Sequence, residues 1–143
     1  MENKEVLLLV VASADDEGLT PLQLQKSLFL VGECSLPELP SDFYTFVPYN
    51  YGPFNPVIYG DAESLAEEGL LEYINVPGQK WSKYAATTAG LARAGEITDS
   101  ISNECSKYIK DVVDWVLSLT FSELLRAIYT KYPKFRSNSV FQG

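Results

Sequence analysis

The alternation of apolar and polar positions predicts two helices in the first quarter of the chain. Residues 2–13 are apolar on almost every side, which is typical of a helix at the centre of a core. A second helix should begin after Thr20, because Pro21 suits the first helical position and Gln23 can complete a capping box. This helix should end between residues 32 and 35. Two of its polar residues are predicted to face solvent, Gln25 and Lys26.

The middle of the chain carries signals for strands and for one more helix. Residues 43–47 are aromatic and β-branched, which predicts a short strand that Pro48 ends. A third helix is predicted over residues 56–68, with Gly69 as its C-terminal stop. Two further strands on either side of a Pro-Gly pair form a predicted hairpin, at residues 70–76 and 80–86.

The last third of the chain is predicted to be helical. A threonine, Thr87 or Thr88, should cap a short helix that runs through Arg93. Apolar residues recur every three or four positions over residues 100–119, which predicts a long helix buried along one side. A second capping box opens a final helix that continues up to a proline, and its partners are Thr120 and Glu123.

These elements define an α+β fold that is mainly helical. Their order is helix, helix, strand, helix, two-stranded hairpin, helix, which is the winged-helix arrangement, and two extra C-terminal helices follow it. The sequence contains no internal repeat, low-complexity tract or linker. We therefore expect a single domain over residues 1–143, with a winged-helix-like core in residues 1–97 and a helical extension in residues 98–143.

Composition indicates a folded chain in the cytoplasm. Of the 143 residues, 46% are hydrophobic and 21% are charged, which is ordinary for a globular protein. The longest apolar run is too short to cross a bilayer, and the N-terminus lacks the positive charge of a signal peptide. In such a chain Cys34 and Cys105 are expected to be reduced thiols that pack as small hydrophobic side chains.

The absence of histidine narrows the functions that we expect. It removes the commonest general base and the commonest metal ligand at once. Neither cysteine lies in a motif that would activate it, and the sequence has no Gly-rich phosphate loop and no metal-ligand spacing. We therefore expect no catalytic residue, no metal and no cofactor. A small hydrolase would instead require a deep pocket that holds a carboxylate or thiol with a perturbed pKa.

Charge bears on the choice between nucleic acid and protein as a partner. A formal net charge of -8 opposes phosphate contacts, which supply most non-specific affinity for nucleic acid. The segment that would enter the major groove, residues 57–72, has no basic residue and includes the acidic Asp61 and Glu67, which are candidates for binding a protein partner instead. The hairpin offers a small basic and aromatic surface, formed by Lys80, Trp81 and Lys83, which is a further candidate for partner binding. Such charges more often serve to discourage pairing at a strand edge.

An aromatic segment rich in turn residues connects the predicted strand to the third helix. Aromatic side chains with a polar tip are enriched at protein interfaces, which makes Tyr49 and Tyr51 candidates for partner binding. We favour a simpler interpretation, in which Tyr51 and Phe54 fill the core. The turn chemistry alone accounts for Gly52 and Pro53.

Two features of the C-terminal third are candidate contact surfaces. A hydrophobic stripe on the long helix could join two copies of the chain or clasp the same molecule, and it comprises Tyr108, Val112 and Trp115. Residues 131–136 form the one basic cluster. This tail could lie across the acidic third helix, in the same molecule or in a neighbour, or it could bind an acidic partner.

Several short motifs resemble those of a bacterial protein family. The stretches are residues 20–29 (TPLQLQKSLF), 49–54 (YNYGPF), 65–71 (LAEEGLL) and 84–90 (YAATTAG). Together they resemble the SocA-like, or Panacea, domain and the related bacterial winged-helix proteins of the YwgA type. The resemblance extends over residues 5–95 at the level of element order.

This resemblance implies a protein partner rather than a reaction. Members with known roles are antitoxins or proteolytic-adaptor antitoxins, and the family supplies no catalytic residues. We therefore expect a non-enzymatic protein-binding module, an antitoxin or a regulatory component, whose partner is a toxin or another product of a neighbouring gene. The alternative is a winged-helix transcription regulator that binds DNA through its hairpin and its basic tail.

Overall fold

Six α-helices make up most of the part of the chain that the structure describes. The computed structural model describes residues 1–141. The helices are α1 (Asn3–Ala12), α2 (Pro21–Glu33), α3 (Val57–Glu67), α4 (Thr88–Asp99), α5 (Asn103–Leu117) and α6 (Phe121–Lys131). Short 3-10 turns follow α1 and α6, at Asp15–Glu17 and Pro133–Arg136. Within residues 1–141 no helix has the length and apolar character that a membrane crossing needs.

Two antiparallel hairpins complete a mainly helical α+β fold, as predicted. The first pairs β1 (Val47–Tyr49) with β2 (Gly52–Phe54), and the second, the wing, pairs β3 (Leu71–Asn75) with β4 (Ser82–Ala86). Leu19, between α1 and α2, exchanges backbone hydrogen bonds with Tyr84 at N···O distances of 2.9 and 2.8 Å. The wing is therefore tied to the segment that leads into α2. The order of elements through α4 is helix, helix, hairpin, helix, hairpin, helix, which is the predicted order with one additional strand.

Capping side chains start α2 and α6 at the predicted positions. Thr20 accepts a hydrogen bond from the backbone N–H of Gln23 at 3.1 Å, and the Gln23 side chain accepts one from the Thr20 N–H at 2.9 Å. The same reciprocal pair links Thr120 and Glu123. Gly69 follows α3 with a φ of 78°, the left-handed conformation in which glycine ends a helix without strain. The two capping boxes and this helix stop are confirmed.

The prediction of a strand over residues 43–47 is wrong. Pairing begins only at Val47, and it continues through Pro48, which was expected to stop it. Opposed residues in an antiparallel pair alternate between those that exchange backbone hydrogen bonds and those that do not. Pro48 lies opposite Pro53, and because neither residue has an N–H, two prolines can occupy a pair of the second kind.

The aromatic residues that suggested this strand pack into the core from an irregular segment. Tyr44 is buried, and its hydroxyl donates to a carboxylate oxygen of Asp61 at 2.6 Å. Phe46 contacts Phe29 of α2 edge-on, with ring centroids 5.5 Å apart. Packing against helices, rather than pairing with a second strand, therefore accounts for the aromatic character of this stretch.

Two helices differ from their predicted bounds. α4 was expected to end at Arg93, but it continues to Asp99 because Ala94 and Ile97 are buried in the core. α5 begins later than predicted, since Ser102 caps it by accepting a hydrogen bond from the N–H of Cys105 at 3.1 Å. Both errors concern the ends of elements, which local pattern determines least well.

One hydrophobic cluster joins α1 to both C-terminal helices. Six consecutive residues of α1, from Val6 to Val11, are at most 5% exposed, which confirms that this helix is central. α2, α3, α4 and β4 pack against α1, and α5 packs against both α1 and α2. Buried residues of α5 and α6, such as Val113 and Leu125, belong to the same cluster. The helical extension therefore shares its core with the winged-helix-like part.

Candidate functional site

A short polar run of α2 lies in the middle of the core. Gln25, Lys26 and Ser27 are each at most 1% exposed, so the prediction that Gln25 and Lys26 face solvent is wrong. Burial of such groups is costly unless they find hydrogen-bond partners. The segment around β2 supplies partners to Gln25 and Lys26, and the sequence pattern of α2 alone contained no sign of them.

Gln25 holds the chain immediately after β2. Its side-chain NH2 donates to the backbone carbonyl of Asn55 at 2.8 Å, and its side-chain oxygen accepts from the Asn55 N–H at 2.9 Å. The Asn55 side chain in turn donates to the carbonyl of Thr45 at 2.7 Å and accepts from the N–H of Val57 at 2.8 Å. One buried glutamine thus fixes the entry to α3.

Lys26 contacts the buried side of the β1–β2 hairpin at Pro53, two residues before Asn55. Its ammonium donates to the backbone carbonyl of Pro53 at 3.1 Å. Burial lowers the pKa of the Lys26 side chain to about 7. A Cβ at Gly52 would contact Lys26, Leu125 and Tyr129 at 3.5–3.6 Å, so the lysine stem is packed between this turn and α6.

The turn between β1 and β2 presents Tyr51 to solvent. Gly52 has a φ of 90°, which a residue with a side chain rarely adopts, and both Gly52 and Pro53 are buried. Tyr51 is 41% exposed, so the favoured interpretation that it fills the core is wrong. Tyr49 is also exposed, and its ring stacks on the half-buried Phe54 with centroids 4.7 Å apart.

Tyr51 forms one wall of a concave surface, the aromatic groove, with a volume of about 490 Å³. The other walls come from the first turn of α2, from the wing and from the connection between α5 and α6. The apolar residues of the groove are Leu22, Tyr51, Trp81, Leu119, Phe121 and Leu124. Pro21 and the two residues of the α2 capping box, Thr20 and Gln23, complete its lining.

Three aromatic side chains from distant parts of the sequence converge on the aromatic groove. Trp81 is 45% exposed and Phe121 is 42% exposed, and the Phe121 ring meets Tyr51 edge-on with centroids 5.6 Å apart. Tyr51 and Trp81 were predicted as partner contacts from separate segments, and the structure brings them to one surface. Phe121 was missed, although a large apolar residue next to the cap Thr120, outside the buried stripe of α6, is a detectable signal.

The predicted basic residues of the wing flank Trp81. Lys80 is exposed and Lys83 is half-buried. No ion pair between described residues includes either lysine, whereas Lys4, Arg93, Lys107 and Lys110 all pair with carboxylates. Neither wing lysine therefore has an ion-pair partner among the described residues.

The acidic residues of α3 do not line the aromatic groove. Asp61 is engaged within the chain by Tyr44, and burial together with this hydrogen bond raises the pKa of Tyr44. Glu67 is exposed on α3, and burial followed by the charges of Glu63 and Glu67 raises the pKa of Tyr73 on β3. Asp61 and Glu67 are therefore separate from the aromatic candidates.

Two of the three residues of the predicted oligomer seam pack within the chain. Val112 is 8% exposed, and the Tyr108 hydroxyl donates to the carbonyl of Leu30 in α2 at 3.2 Å. Trp115 is 43% exposed beside a shallow depression between α5 and α6. This geometry is the intramolecular clasp, and it leaves Trp115 as the part of the stripe that is open to solvent.

The basic tail packs at the far end of α6 from the aromatic groove. Phe135 is 2% exposed, and its ring meets Phe29 edge-on at 4.9 Å. The 3-10 turn that carries it contacts α6, β1 and β2 rather than lying across α3. Phe121 and Lys131 are ten residues apart on α6, or about 15 Å. The tail and the lysines of the wing therefore do not form one continuous basic surface.

Neither cysteine is part of a recognisable reactive site. Cys105 is buried, as predicted, whereas Cys34 is exposed at the end of α2, which contradicts its predicted burial. Burial is the main cause that raises the pKa of the Cys105 thiol. Within residues 1–141, no three cysteine, aspartate or glutamate side chains come together as a metal site.

Comparison with known proteins adds no relative to this description. No protein-family model matches the sequence, and no curated protein matches it.

Proposed function

We propose that the chain is a non-enzymatic protein-binding module and that the aromatic groove is its binding surface. The observation that carries this proposal is the convergence of Tyr51, Trp81 and Phe121, each 41–45% exposed, around one apolar concavity. Large aromatic side chains contribute most of the binding energy at interfaces when a partner buries them. A concave cluster of such residues is a typical anchor site for a partner protein.

The composition of the groove supports binding rather than a reaction. Its volume of about 490 Å³ is ordinary for a ligand site. Its lining contains no carboxylate, thiol or amine that could act as a nucleophile or as a general acid or base. Its polar members, Thr20 and Gln23, are engaged with each other in the capping box of α2.

Contact between the motifs supports the SocA-like class. The Leu-Gln-Lys run of α2 and the Tyr-Gly-Pro turn are separate in sequence, but Gln25 and Lys26 hydrogen-bond to Asn55 and Pro53. The two motifs therefore form one structural unit that sets the position of Tyr51. We accordingly propose a cytoplasmic antitoxin or regulatory component of this class, with a toxin or another neighbouring-gene product as its partner.

The alternative is a transcription regulator that binds DNA through the wing and the tail. The unpaired Lys80 and Lys83 favour it. The net charge of -8 and the distance of the tail from the wing oppose it. It requires DNA binding that weakens with salt and that falls when Lys80, Lys83 and Arg136 are neutralised.

A capture experiment with matched aromatic variants tests the proposed function. The double variant Tyr51→Ala/Trp81→Ala changes the groove, and Tyr73→Ala/Trp115→Ala removes the same residue types, 50% and 43% exposed, from surfaces outside it. Each tagged chain is expressed in the native cells, and bound proteins are identified by mass spectrometry.

We expect one protein to be retained by the wild type and by the control variant, and to be lost with the groove variant. Equal retention by both double variants, or no retained protein, would contradict the proposed function. Circular dichroism of each variant confirms that the fold is intact.

A further inference from the structure

Two helix N-termini border the aromatic groove. α2 contributes Leu22 from its first turn, and α6 contributes Phe121 and Leu124 from its own. The N-terminal end of a helix carries a partial positive charge of about half an elementary charge, because its first N–H groups lack partners within the helix. Capping boxes already satisfy both ends, and the cap of α6 includes the negatively charged carboxylate of Glu123, so positive charge at the groove has to come from other residues.

The wing carries two positive charges close in sequence to Trp81, and of these residues only Trp81 lines the groove itself. Lys80 precedes Trp81, and Lys83 lies two residues after it, within β4. Neither lysine is neutralised by a carboxylate among the described residues. The nearby acid of α6, Glu123, already accepts the backbone N–H of Thr120 at 2.8 Å.

Two of the hydrogen-bonding groups left over at the groove can only donate. The oxygen of the Gln23 side chain is taken by Thr20, which leaves its NH2 group. Within the described residues, neither this NH2 group nor the indole N–H of Trp81 donates a hydrogen bond to a protein atom. These two donors and the two lysines of the wing favour an occupant that brings oxygen acceptors with negative charge.

We propose that the aromatic groove binds an acidic, apolar segment of a partner protein, an inference that rests on the proposed function. Bulky apolar side chains of this segment fill the space between Tyr51, Trp81 and Phe121. Aspartate or glutamate residues beside them face Lys80 and Lys83. The negative charge of the rest of the molecule does not prevent this contact, because charges beyond about 10 Å are largely screened at physiological salt.

Single-stranded nucleic acid is the macromolecule with the nearest chemistry, since bases stack on aromatic rings and phosphates pair with lysines. Its affinity depends on many neutralised phosphates, and this surface supplies only two lysine charges in a chain of net charge -8. An acidic protein segment needs few charge contacts, because burial of its apolar side chains supplies most of the affinity.

Peptide selection on the purified full chain tests this inference. A random peptide library is selected on the immobilised wild type. The best peptide is then measured by fluorescence anisotropy against the wild type, Trp81→Ala, Lys80→Gln/Lys83→Gln and the control Trp115→Ala. A version of the peptide with its acids changed to amides and a short thymidine oligomer complete the set.

We expect the selected peptides to combine aspartate or glutamate with leucine or aromatic residues. Trp81→Ala should weaken binding at least about tenfold, as expected for a central aromatic anchor. The double lysine variant and the amide peptide should each weaken it about threefold to tenfold at low salt, and less at high salt. Trp115→Ala should bind as the wild type does.

Other outcomes separate this inference from the function on which it rests. Neutral or basic peptides that bind through Trp81 would overturn the acidic segment and leave a protein-binding groove. Peptides that bind Trp81→Ala as well as the wild type, or a library without enrichment, would overturn both. Tighter binding of the thymidine oligomer would assign the groove to nucleic acid, and a dimer that Trp81→Ala dissociates would assign it to a second copy.

Discussion

The two sides of the β1–β2 turn reverse the usual distribution of polar and apolar residues. On the inner side, Gln25 and Lys26 are buried and hydrogen-bonded to Asn55 and Pro53. On the outer side, the side chain of Tyr51 is 41% exposed to solvent. Hydrogen bonds to the backbone account for the burial of Gln25 and Lys26. The ring of Tyr51 is only partly covered by apolar neighbours, and a partner protein could cover the rest.

The residues on the inner side of this turn therefore contribute to stability, and the residue on its outer side contributes to binding. A buried polar contact is specific in direction, so Gln25 and Lys26 fix where the turn lies. A fixed turn holds Tyr51 beside Trp81 and Phe121 before any partner arrives, which lowers the entropy lost on binding. Substitutions on the inner side should therefore affect folding first, and substitutions on the outer side should affect binding first.

Removal of Gln25 should give the largest loss of stability. Gln25→Ala leaves both backbone groups of Asn55 without their buried partner, and we expect the free energy of unfolding to fall by about 2–4 kcal/mol. Urea unfolding followed by tryptophan fluorescence measures it. The matched control is Gln79→Ala in the exposed turn of the wing, which should change the value by less than about 0.5 kcal/mol. Equal effects of the two variants would show that the inner side does not anchor the turn.

Lys26 should make the stability depend on pH in a defined window. Its pKa is about 7 in the folded chain. In the unfolded chain the pKa is about 10.4, so the unfolded state binds more protons between these values and the folded state gains stability as pH rises. We expect the free energy of unfolding to increase from pH 7 to pH 9 by up to about 1.4 kcal/mol per pH unit, and to lose this dependence below pH 7.

The variant Lys26→Met isolates this effect. It keeps a long apolar stem and removes the titrating amine, so its stability should lack the rise. The raised pKa of the buried Cys105 thiol should instead make its stability fall slightly towards pH 9. The chain has no histidine, so no histidine titration overlaps the start of this window. A wild-type profile without the rise, or an equal rise in Lys26→Met, would contradict a buried Lys26 whose pKa is lowered to about 7.

Local patterns predicted the helical framework because local chemistry determines it. Reciprocal capping at Thr20 and Thr120 requires only residues three positions apart, and the structure shows both pairs. The strand at residues 43–47 was wrong because aromatic residues suit a helix-packed segment as well as a sheet. Whether such a segment packs against a helix or pairs as a strand depends on its tertiary contacts, here with Phe29 of α2.

The candidate site was predicted only in part, for a related reason. Residue type identified Tyr51 and Trp81, since exposed aromatic residues are common at interfaces. Their meeting with Phe121 depends on how the wing and α6 pack around α2, which no short motif encodes. The burial of Gln25 and Lys26 was missed because their hydrogen-bond partners are backbone groups of Pro53 and Asn55. Every residue type has such backbone groups, so a pattern of residue types cannot reveal them.

The most direct test of the account measures stability and binding on the same variant, Trp81→Ala. Trp81 is 45% exposed, so we expect its removal to lower the free energy of unfolding by less than about 1 kcal/mol. Its affinity for the selected peptide should fall at least about tenfold. A loss of stability above about 2 kcal/mol would contradict the account by placing Trp81 in the folding core. Unchanged affinity would contradict it by removing the aromatic groove from binding.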